Sequence, residues 1–266
     1  CGSVAYLERA KNLFKNNDHN ILEKEDESIW FQNNDVVKFS VDKNFISDRV
    51  DRLNYLPEAL TPELIDSGKY TYKYKKISGS IIPNTLTIPM LEKLLNRTLS
   101  LMWSNTIEIT DEITDECYDF YKNKSYIRLN HYCERFEQVD LSKKLNGQNV
   151  RSVREMYNEL DWASLCENPH WSLFHGDFHG ENILVTSNED FKFLDWRQSF
   201  GTSSKNFGDA YYDFAKLRHG FLVNHGIIDN HQFNISEKNQ SDVLITIDQK
   251  SNLLECDEYF KEWLID

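Results

Sequence analysis

One short stretch constrains the fold of this chain more than any other, and a second stretch downstream completes it. They are Phe174-His175-Gly176-Asp177-Phe178-His179-Gly180-Glu181-Asn182-Ile183-Leu184 and Phe193-Leu194-Asp195-Trp196. Asp177 precedes Asn182 by five residues, and Asp195 follows Asn182 by thirteen. Residues 182–185 and 191–196 predict two short strands joined by a polar loop. Because a hairpin brings its two ends together, we expect Asn182 and Asp195 to be neighbours, with Asp177 on the loop before them.

The side chains of Asp177, Asn182 and Asp195 suit the transfer of a phosphoryl group to a hydroxyl. This reaction needs the acceptor oxygen aligned, its proton accepted and the phosphate charge neutralised by metal. We predict that Asp177 orients and deprotonates the hydroxyl, and that Asn182 and Asp195 hold Mg²⁺, which prefers hard oxygen ligands. The alternative is that these three residues are ordinary cap and turn residues. That interpretation is less favoured, because all three spacings would then have to agree by chance.

Composition and charge exclude several classes of protein. The formal net charge of −13 argues against a nucleic-acid partner. The sequence contains no run of about 18 apolar residues, so it predicts no membrane span. The first residues lack the pattern of a signal peptide. The five cysteines are scattered, without a CxxC pair, which favours a reducing cytoplasm.

The chain divides into two predicted lobes at the small-residue break Ser78-Gly79-Ser80. We expect residues 1–78 to form an N-terminal lobe of antiparallel strands with one inserted helix, preceded by a leading helix. Residues 79–266 are expected to form a mainly helical lobe that carries the catalytic and metal-binding loops. The predicted elements of the first lobe are helix 4–17, strands 28–32 and 36–39 around a three-residue turn, helix 45–56, and strands 64–65 and 70–77.

Capping signals support the helices of the second lobe. Thr87 can cap a helix that has Pro89 in its first turn and apolar residues from Leu91 to Met102 on one face. Ser152 and Glu155 have the spacing of a capping box.

With these motifs in view, the chain resembles the aminoglycoside phosphotransferase and choline/ethanolamine kinase family. The resemblance depends on His175-Gly176-Asp177, Asn182 and Leu194-Asp195-Trp196. It implies an α+β, protein-kinase-like fold with a small strand-rich N-terminal lobe and a larger mainly helical C-terminal lobe. It also implies an enzyme that uses Mg²⁺ and ATP, or another NTP, to phosphorylate a small-molecule hydroxyl.

The same resemblance assigns roles in the small lobe. Lys38 matches the phosphate-binding lysine, and Tyr74 and Lys76 fall in the segment between lobes whose backbone usually bonds the adenine. Two departures stand out. No glycine loop precedes the Lys38 strand, and the lysine's usual glutamate partner is missing from residues 47–52. Asp48 or Asp51 would then pair with Lys38, and Arg49 or Arg52 would contact phosphate.

A weaker likeness links the chain to kinase-like domains of capsule or lipopolysaccharide enzymes. The residues that carry it are 195–201 and 209–213, and residues 2–11 are similar to the end of a sugar nucleotidyltransferase domain. This likeness implies an acceptor that is a sugar, a choline-like alcohol or a related building block, and a fused or partnered nucleotidyltransferase domain.

Two other functions stay open at this point. A non-catalytic kinase-like module is favoured by the missing glycine loop and opposed by the intact Asp177, Asn182 and Asp195. A Zn or Fe hydrolase would use His175, Asp177 and His179 as ligands along an extended segment. Among the remaining polar residues, we expect His175 to hold its loop and Asp209 to cap a helix, while Asp213 faces either the acceptor or solvent.

Overall fold

The computed structural model describes residues 26–136, 143–202, 204–239 and 242–265. The predicted leading helix at 4–17 lies outside these residues. The strand-rich region forms an antiparallel sheet of order β1-β2-β4-β3, with one helix, α1, inserted after β2. Its elements are β1 (Glu27–Gln32), β2 (Asp35–Ser40), α1 (Lys43–Leu53), β3 (Leu64–Ser67) and β4 (Thr71–Lys75).

Local sequence explains how this sheet begins. Gln32 pairs with Asp35, so the β1–β2 turn holds only Asn33 and Asn34 and is one residue shorter than predicted. Asn33 has φ 54°, a left-handed conformation that asparagine tolerates better than most residues. The Asp42 side chain accepts a hydrogen bond from the Asn44 backbone N–H at 2.9 Å, which starts α1 two residues earlier than predicted.

A second small sheet connects the strand-rich region to the central motif. Its order is β5-β9-β10, all antiparallel, with β5 at Gly79–Ile81, β9 at Ile183–Thr186 and β10 at Phe191–Phe193. The predicted strand to Trp196 is too long, because Asp195 adopts φ 58° and leaves the extended conformation. The chain therefore turns sharply just where the second aspartate of the motif stands.

Helices make up much of the rest of the chain. They are α2 (Ile88–Thr98), α3 (Asp111–Cys117), α4 (Lys124–Arg135), α5 (Val153–Glu159), α6 (Trp162–Glu167), α7 (Ala210–Leu222), α8 (His225–Asp229) and α9 (Ser251–Trp263). A π-helical turn, Leu99–Trp103, continues α2, and another, Tyr118–Asn123, joins α3 to α4. The capping box of Ser152 and Glu155 is confirmed. Thr87 precedes α2 but forms no side-chain cap.

The helical region also contains strands that the sequence did not predict. β8 (Trp171–Leu173) pairs with β11 (Phe207–Asp209), and a four-stranded sheet has the order β12-β13-β6-β7. The members of that sheet are β6 (Lys143–Leu145), β7 (Gln148–Val150), β12 (Phe233–Asn239) and β13 (Asp242–Ile247). The strands were missed because β6 and β7 are very short and β13 pairs with β6 across a long sequence separation.

The main hydrophobic core is shared by both regions. Leu91, Leu94 and Leu95 of α2 are fully buried together with Ile46 of α1 and Trp196. The predicted α+β architecture, with a strand-rich first region and a mostly helical remainder, is confirmed. In the part of the chain that the structure describes, no helix is both long and apolar enough to cross a membrane.

Candidate active site

The hairpin β9–β10 brings the two ends of the central motif together. The Leu194 backbone N–H donates to the Asn182 carbonyl at 2.8 Å, so Asp195 follows directly on a residue bonded to Asn182. The Asn182 amide nitrogen donates to the Asp177 carbonyl at 2.9 Å and lies 3.3 Å from Asp177 Oδ2. The structure thus places the three motif residues in one neighbourhood.

Asn182 is buried, and its amide orientation follows from its partners. The side-chain nitrogen is the only atom of the amide that can donate to the Asp177 carbonyl. The same nitrogen lies 3.0 Å from His179 Nε2. Within the described residues, Asn182 Oδ1 accepts no hydrogen bond.

Asp195 receives two cations from the strand-rich region. Lys38 on β2 forms an ion pair with Asp195 Oδ1, and Arg49 Nη1 on α1 lies 2.6 Å from the same oxygen. Lys38 and Arg49 are both buried, while the Asp195 side chain is one-third exposed. The motif carboxylate is therefore a partner of Lys38.

The predicted pairing of Lys38 with Asp48 or Asp51 is wrong. Arg49 and Arg52 lie three residues apart on the buried face of α1, and this places Asp48 and Asp51 outside that face. Asp48 instead pairs with Lys205 at 2.7 Å, and Asp51 is exposed. Helical periodicity, rather than charge, decides which of these residues reaches the site.

Arg52 has a structural role rather than the predicted contact with phosphate. Its guanidinium donates to the carbonyls of Arg197, at 2.6 Å, and Phe174, and lies 4.3 Å from the centre of the Phe174 ring. Burial lowers the pKa of Arg52 to about 9. Arg52 therefore ties α1 to the backbone on both sides of the motif.

Asp177 is ionised and accessible from solvent. Its Oδ1 lies 2.8 Å from Lys216 Nζ on α7, and its Oδ2 lies 3.5 Å from His179 Nε2. Burial acts to raise the pKa of Asp177, but hydrogen bonds from His179 and Lys216 outweigh it and hold the pKa well below its usual range. The side chain is 37% exposed, so a hydroxyl can reach it.

His175 supports the loop, as predicted. It is buried, and its Nδ1 accepts a hydrogen bond from the Asp177 backbone N–H at 3.2 Å. Burial lowers the pKa of His175 to about 3, so the ring is neutral, and the bond to Nδ1 places its proton on Nε2. A neutral imidazole enclosed in this way stabilises the loop beside Asp177.

His179 joins two carboxylates. Its Nδ1 lies 2.8 Å from Glu181 Oε2, and its Nε2 faces Asp177. Burial opposes the charged ring, but hydrogen bonds to Asp177 and Glu181 raise the pKa of His179 to about 9. Glu181 also accepts from the His225 backbone N–H at 2.9 Å.

The ligand set of the hydrolase interpretation is not assembled. Among the described residues, the cluster of three potential metal ligands whose atoms lie within 4.8 Å of one another is His179, Glu181 and His225. It does not include His175 or Asp177. His225 lies 46 residues from His179, and sequence spacing gave no signal for their contact.

The buried carboxylate of Asp213 anchors the backbone of the loop that carries Asp177. Asp213 on α7 accepts hydrogen bonds from the backbone N–H groups of His175 and Gly176, both at 2.7 Å, and from Trp103 Nε1 at 3.2 Å. Burial raises the pKa of Asp213 to about 6. Asp213 therefore faces neither solvent nor an acceptor. Asp209 caps α7 through the Tyr211 N–H, as predicted.

Gly176 is required by its backbone and by its neighbours. Its φ is +86°, a region that strongly favours glycine. A Cβ at this position would lie 2.5 Å from Arg197 Cβ and 2.7 Å from the Phe174 ring. The glycine of the motif thus lets the loop pass close to the segment after Asp195.

Tyr74 and Lys76 contact other parts of the strand-rich region. The Tyr74 ring is buried and stacks at 6.0 Å on Tyr72. The Lys76 backbone N–H donates to the Asn34 carbonyl at 2.8 Å, and its ammonium lies 5.2 Å from the Phe31 ring centre. The Lys76 N–H is therefore already hydrogen-bonded to the β1–β2 turn. The adenine of a nucleotide would have to form hydrogen bonds with other backbone groups of this segment.

Sequence reasoning missed Lys216 as a partner of Asp177. A signal was present, because Lys216 follows Asp213 by three residues in a predicted helix and so shares its face. Arg49 was considered for phosphate, but its contact with Asp195 requires two regions that are 146 residues apart to meet.

Comparison with known proteins gives structural neighbours only. No family model matches the chain, and no curated protein matches it. The streptomycin-ATP ternary complex of APH(2")-IIa is 20% identical, with 80% of this chain and 74% of that chain covered and a TM-score of 0.44. ADP-bound aminoglycoside phosphotransferase APH(2'')-Ib is 18% identical, with the same coverage and a TM-score of 0.47. Macrolide 2'-phosphotransferase type I is 12% identical over 84% of this chain and 78% of that chain, with a TM-score of 0.41.

Proposed function

We propose that this protein is a phosphotransferase that moves the γ-phosphoryl group of an NTP, with ATP the first candidate, to a hydroxyl of a small molecule. One observation carries the proposal: Asp177 and Asn182 meet beside Asp195, and Lys38 reaches Asp195 from the other region. A base, an amide oxygen, a carboxylate and a lysine are the groups that such a transfer uses.

Asp177 orients the acceptor and takes its proton. In the reaction, the hydroxyl oxygen forms a bond to the γ-phosphorus, the bond from that phosphorus to the β–γ bridging oxygen breaks, and the nucleoside diphosphate leaves. The hydroxyl proton passes to Asp177. Because its pKa is held low, Asp177 is a weak base that acts mainly through alignment and charge.

The oxygen atoms available in the site fit Mg²⁺. Asn182 Oδ1 and Asp195 Oδ2 are hard oxygens without a hydrogen-bond or ion-pair partner among the described residues, and Mg²⁺ needs only one or two protein groups of this kind. When bound, the cation would neutralise charge on the transferred phosphoryl group. Lys38 and Arg49, held at Asp195 Oδ1, supply positive charge for the remaining phosphates.

Nucleotide binding measured by calorimetry, with ATP, GTP and CTP and with or without Mg²⁺, tests this proposal. We expect Mg²⁺-dependent binding by the parent and its loss in Asn182→Ala. Asn188→Ala, in the exposed loop of the same hairpin, is the matched control and should bind like the parent. Binding of nucleotide without any effect of Mg²⁺ would contradict the assigned roles.

A non-catalytic nucleotide- or partner-binding module is the second candidate. The observation that favours it is the double pairing of Asp195 Oδ1, which gives the motif carboxylate two protein cations before any metal arrives. Product formation separates the two functions. A module of this kind would bind nucleotide without forming a nucleoside diphosphate when hydroxyl compounds are added.

The acceptor classes proposed are those implied by the family likeness: a sugar, a choline-like alcohol or a related building block of a surface polysaccharide. A panel of such alcohols, tested for nucleoside diphosphate formation, discriminates among them.

A further inference from the structure

Four cations of α4, α7 and the segment after Asp195 lie close enough to one another to interact electrostatically. We name Lys124, Arg128, Arg197 and Lys216 the acceptor-side cations. Lys216 is in contact with Asp177 at 2.8 Å. The Arg197 backbone N–H donates to the His175 carbonyl at 2.9 Å, which fixes this residue beside the catalytic loop.

Lys124 and Arg197 converge on one aromatic ring. The Lys124 ammonium lies 4.4 Å from the centre of the Phe120 ring, and the Arg197 guanidinium carbon lies 5.0 Å from the same centre. Phe120 is buried, so it serves as a fixed platform for both charges. Burial together with the charges of Arg197, Arg128 and Lys216 lowers the pKa of Lys124 to about 8.

This concentration of positive charge is unusual for a chain with a net charge of −13. Among the described residues, Lys124, Arg128 and Arg197 form no ion pair with a carboxylate, and Lys216 pairs only with Asp177. Like charges held together in this way repel one another unless an anion neutralises them. Within the described part of the chain, Lys124, Arg128 and Arg197 therefore have no carboxylate partner, and Lys216 links this group to Asp177.

We propose that the acceptor-side cations bind an anionic group of the acceptor, a phosphate or a carboxylate. The acceptor is then an acidic alcohol, such as a sugar phosphate, polyol phosphate or sugar acid, whose hydroxyl meets Asp177 while its acid group meets the cations. A polycationic acceptor would be repelled by the same four charges. The inference rests on the proposed function, because it names the substrate class of that site.

Matched acceptor pairs test this inference directly. Glycerol and glycerol 3-phosphate, glucose and glucose 6-phosphate, and glucose and glucuronate differ in the acid group, and choline supplies a cationic alcohol. Binding of each is measured by calorimetry in the presence of Mg²⁺ and ADP, and transfer is measured as ADP formed from ATP. We expect at least one acidic member to bind about tenfold or more tightly than its neutral partner, the equivalent of about 1.4 kcal/mol.

Variants connect that preference to the cluster. Lys124→Gln and Arg128→Gln should each raise the KM for the acidic acceptor about tenfold and reduce its dependence on salt. Arg135→Gln, an exposed arginine on the same helix α4, should behave like the parent. The conservative Lys124→Arg should retain most of the affinity.

Several results would overturn the inference. They are equal or better binding of the neutral or cationic alcohols, no binding by any acid in the panel, an acidic acceptor that binds the parent and Lys124→Gln alike, and a Lys124→Gln defect confined to nucleotide binding. In each of these cases the parent protein retains Mg²⁺-dependent nucleotide binding. Loss of that binding in the parent would instead contradict the proposed function.

Discussion

Asp177 and Asp195 are both partly exposed, and each contacts two cationic side chains, but those side chains come from different parts of the molecule. Asp177 meets His179 and Lys216, which belong to the helical region. Asp195 meets Lys38 and Arg49, which both belong to the strand-rich region. The proposed acceptor side is thus assembled within one region, while the proposed nucleotide side requires contacts between the two regions.

Because the two aspartates draw their partners from different regions, substitutions at them should have different consequences for the rest of the site. Asp213 anchors the loop around Asp177 through a hydrogen bond to its backbone, and Gly176 lets this loop pass close to the segment after Asp195. The position of Asp195 depends instead on α1, whose Arg52 bonds the backbone on both sides of the motif. Changes at Asp177 should therefore affect chemistry alone, and changes at Asp195 should affect both binding and the contact between regions.

The largest effect is expected for Asp177→Asn. Loss of a group that orients the hydroxyl and accepts its proton should lower kcat by about 10²–10⁴-fold. Mg²⁺-dependent nucleotide binding should persist, because the contacts of Asp195 are untouched. The checks are ADP formation with a productive acceptor and calorimetry with nucleotide. Asp229→Asn, an exposed aspartate at the end of α8, is the control, and an equal rate in Asp177→Asn would disprove the base assignment.

A smaller effect is expected for Asp195→Asn, and it should fall on nucleotide binding. We expect Mg²⁺-dependent affinity to fall by about 10–100-fold, the range typical of damage around a metal site. Buried Lys38 and Arg49 would also lose their carboxylate partner. Titration of Mg²⁺ at fixed nucleotide checks this. An unchanged Mg²⁺ requirement in Asp195→Asn would contradict the proposed role of Asp195 in metal binding.

Asp213→Asn should destabilise the loop that contains His175 and Gly176 and precedes Asp177. An amide can accept only one of the two backbone hydrogen bonds without placing its NH₂ against the other N–H, so we expect a loss of about 1–3 kcal/mol in the free energy of unfolding. Urea denaturation at pH 7 measures this loss. Stability equal to that of the parent would show that the loop is held by other contacts.

The same variant carries a pH signature. The pKa of Asp213 is raised from 3.8 to about 6 in the folded protein, so the native state binds the extra proton between these values. The part of the stability that comes from this extra proton is full below about pH 4 and is lost as the pH rises through about 6, while the backbone hydrogen bonds to Asp213 remain. The difference in stability between parent and Asp213→Asn should therefore shrink over this window. A difference that grows with pH would reverse the assigned shift.

The smallest effect is expected for Arg49→Gln. Arg49 shares Asp195 Oδ1 with Lys38, so its removal leaves one cation in place. We expect nucleotide affinity to weaken about tenfold, near the lower end of the 1.5–3 kcal/mol typical of a hydrogen bond to a charged group. Lys43→Gln at the exposed start of α1 is the control. Tighter nucleotide binding in Arg49→Gln would show that Arg49 competes with the metal for Asp195.

Much of the site could be predicted because its information is local. The hairpin that joins Asn182 to Asp195 is encoded by two apolar runs and a polar loop, and the capping box of Ser152 and Glu155 follows similar short-range rules. The four-stranded sheet of β12, β13, β6 and β7 could not be predicted as one sheet, because its two local hairpins are joined only by the pairing of β13 with β6 across a long sequence separation.

The spacing of Asp177, Asn182 and Asp195, the glycine beside Asp177 and the helix that carries Asp213 can all be identified in the amino-acid sequence. These features depend on backbone conformations and hydrogen bonds within a few residues. Packing between distant parts of the chain brings Arg49 and Lys38 to Asp195 rather than Asp48 and Asp51, and groups Lys124, Arg128 and Arg197 with Lys216. Charges attract and repel through space, so their partners are set by how the chain packs and not by where they stand along it.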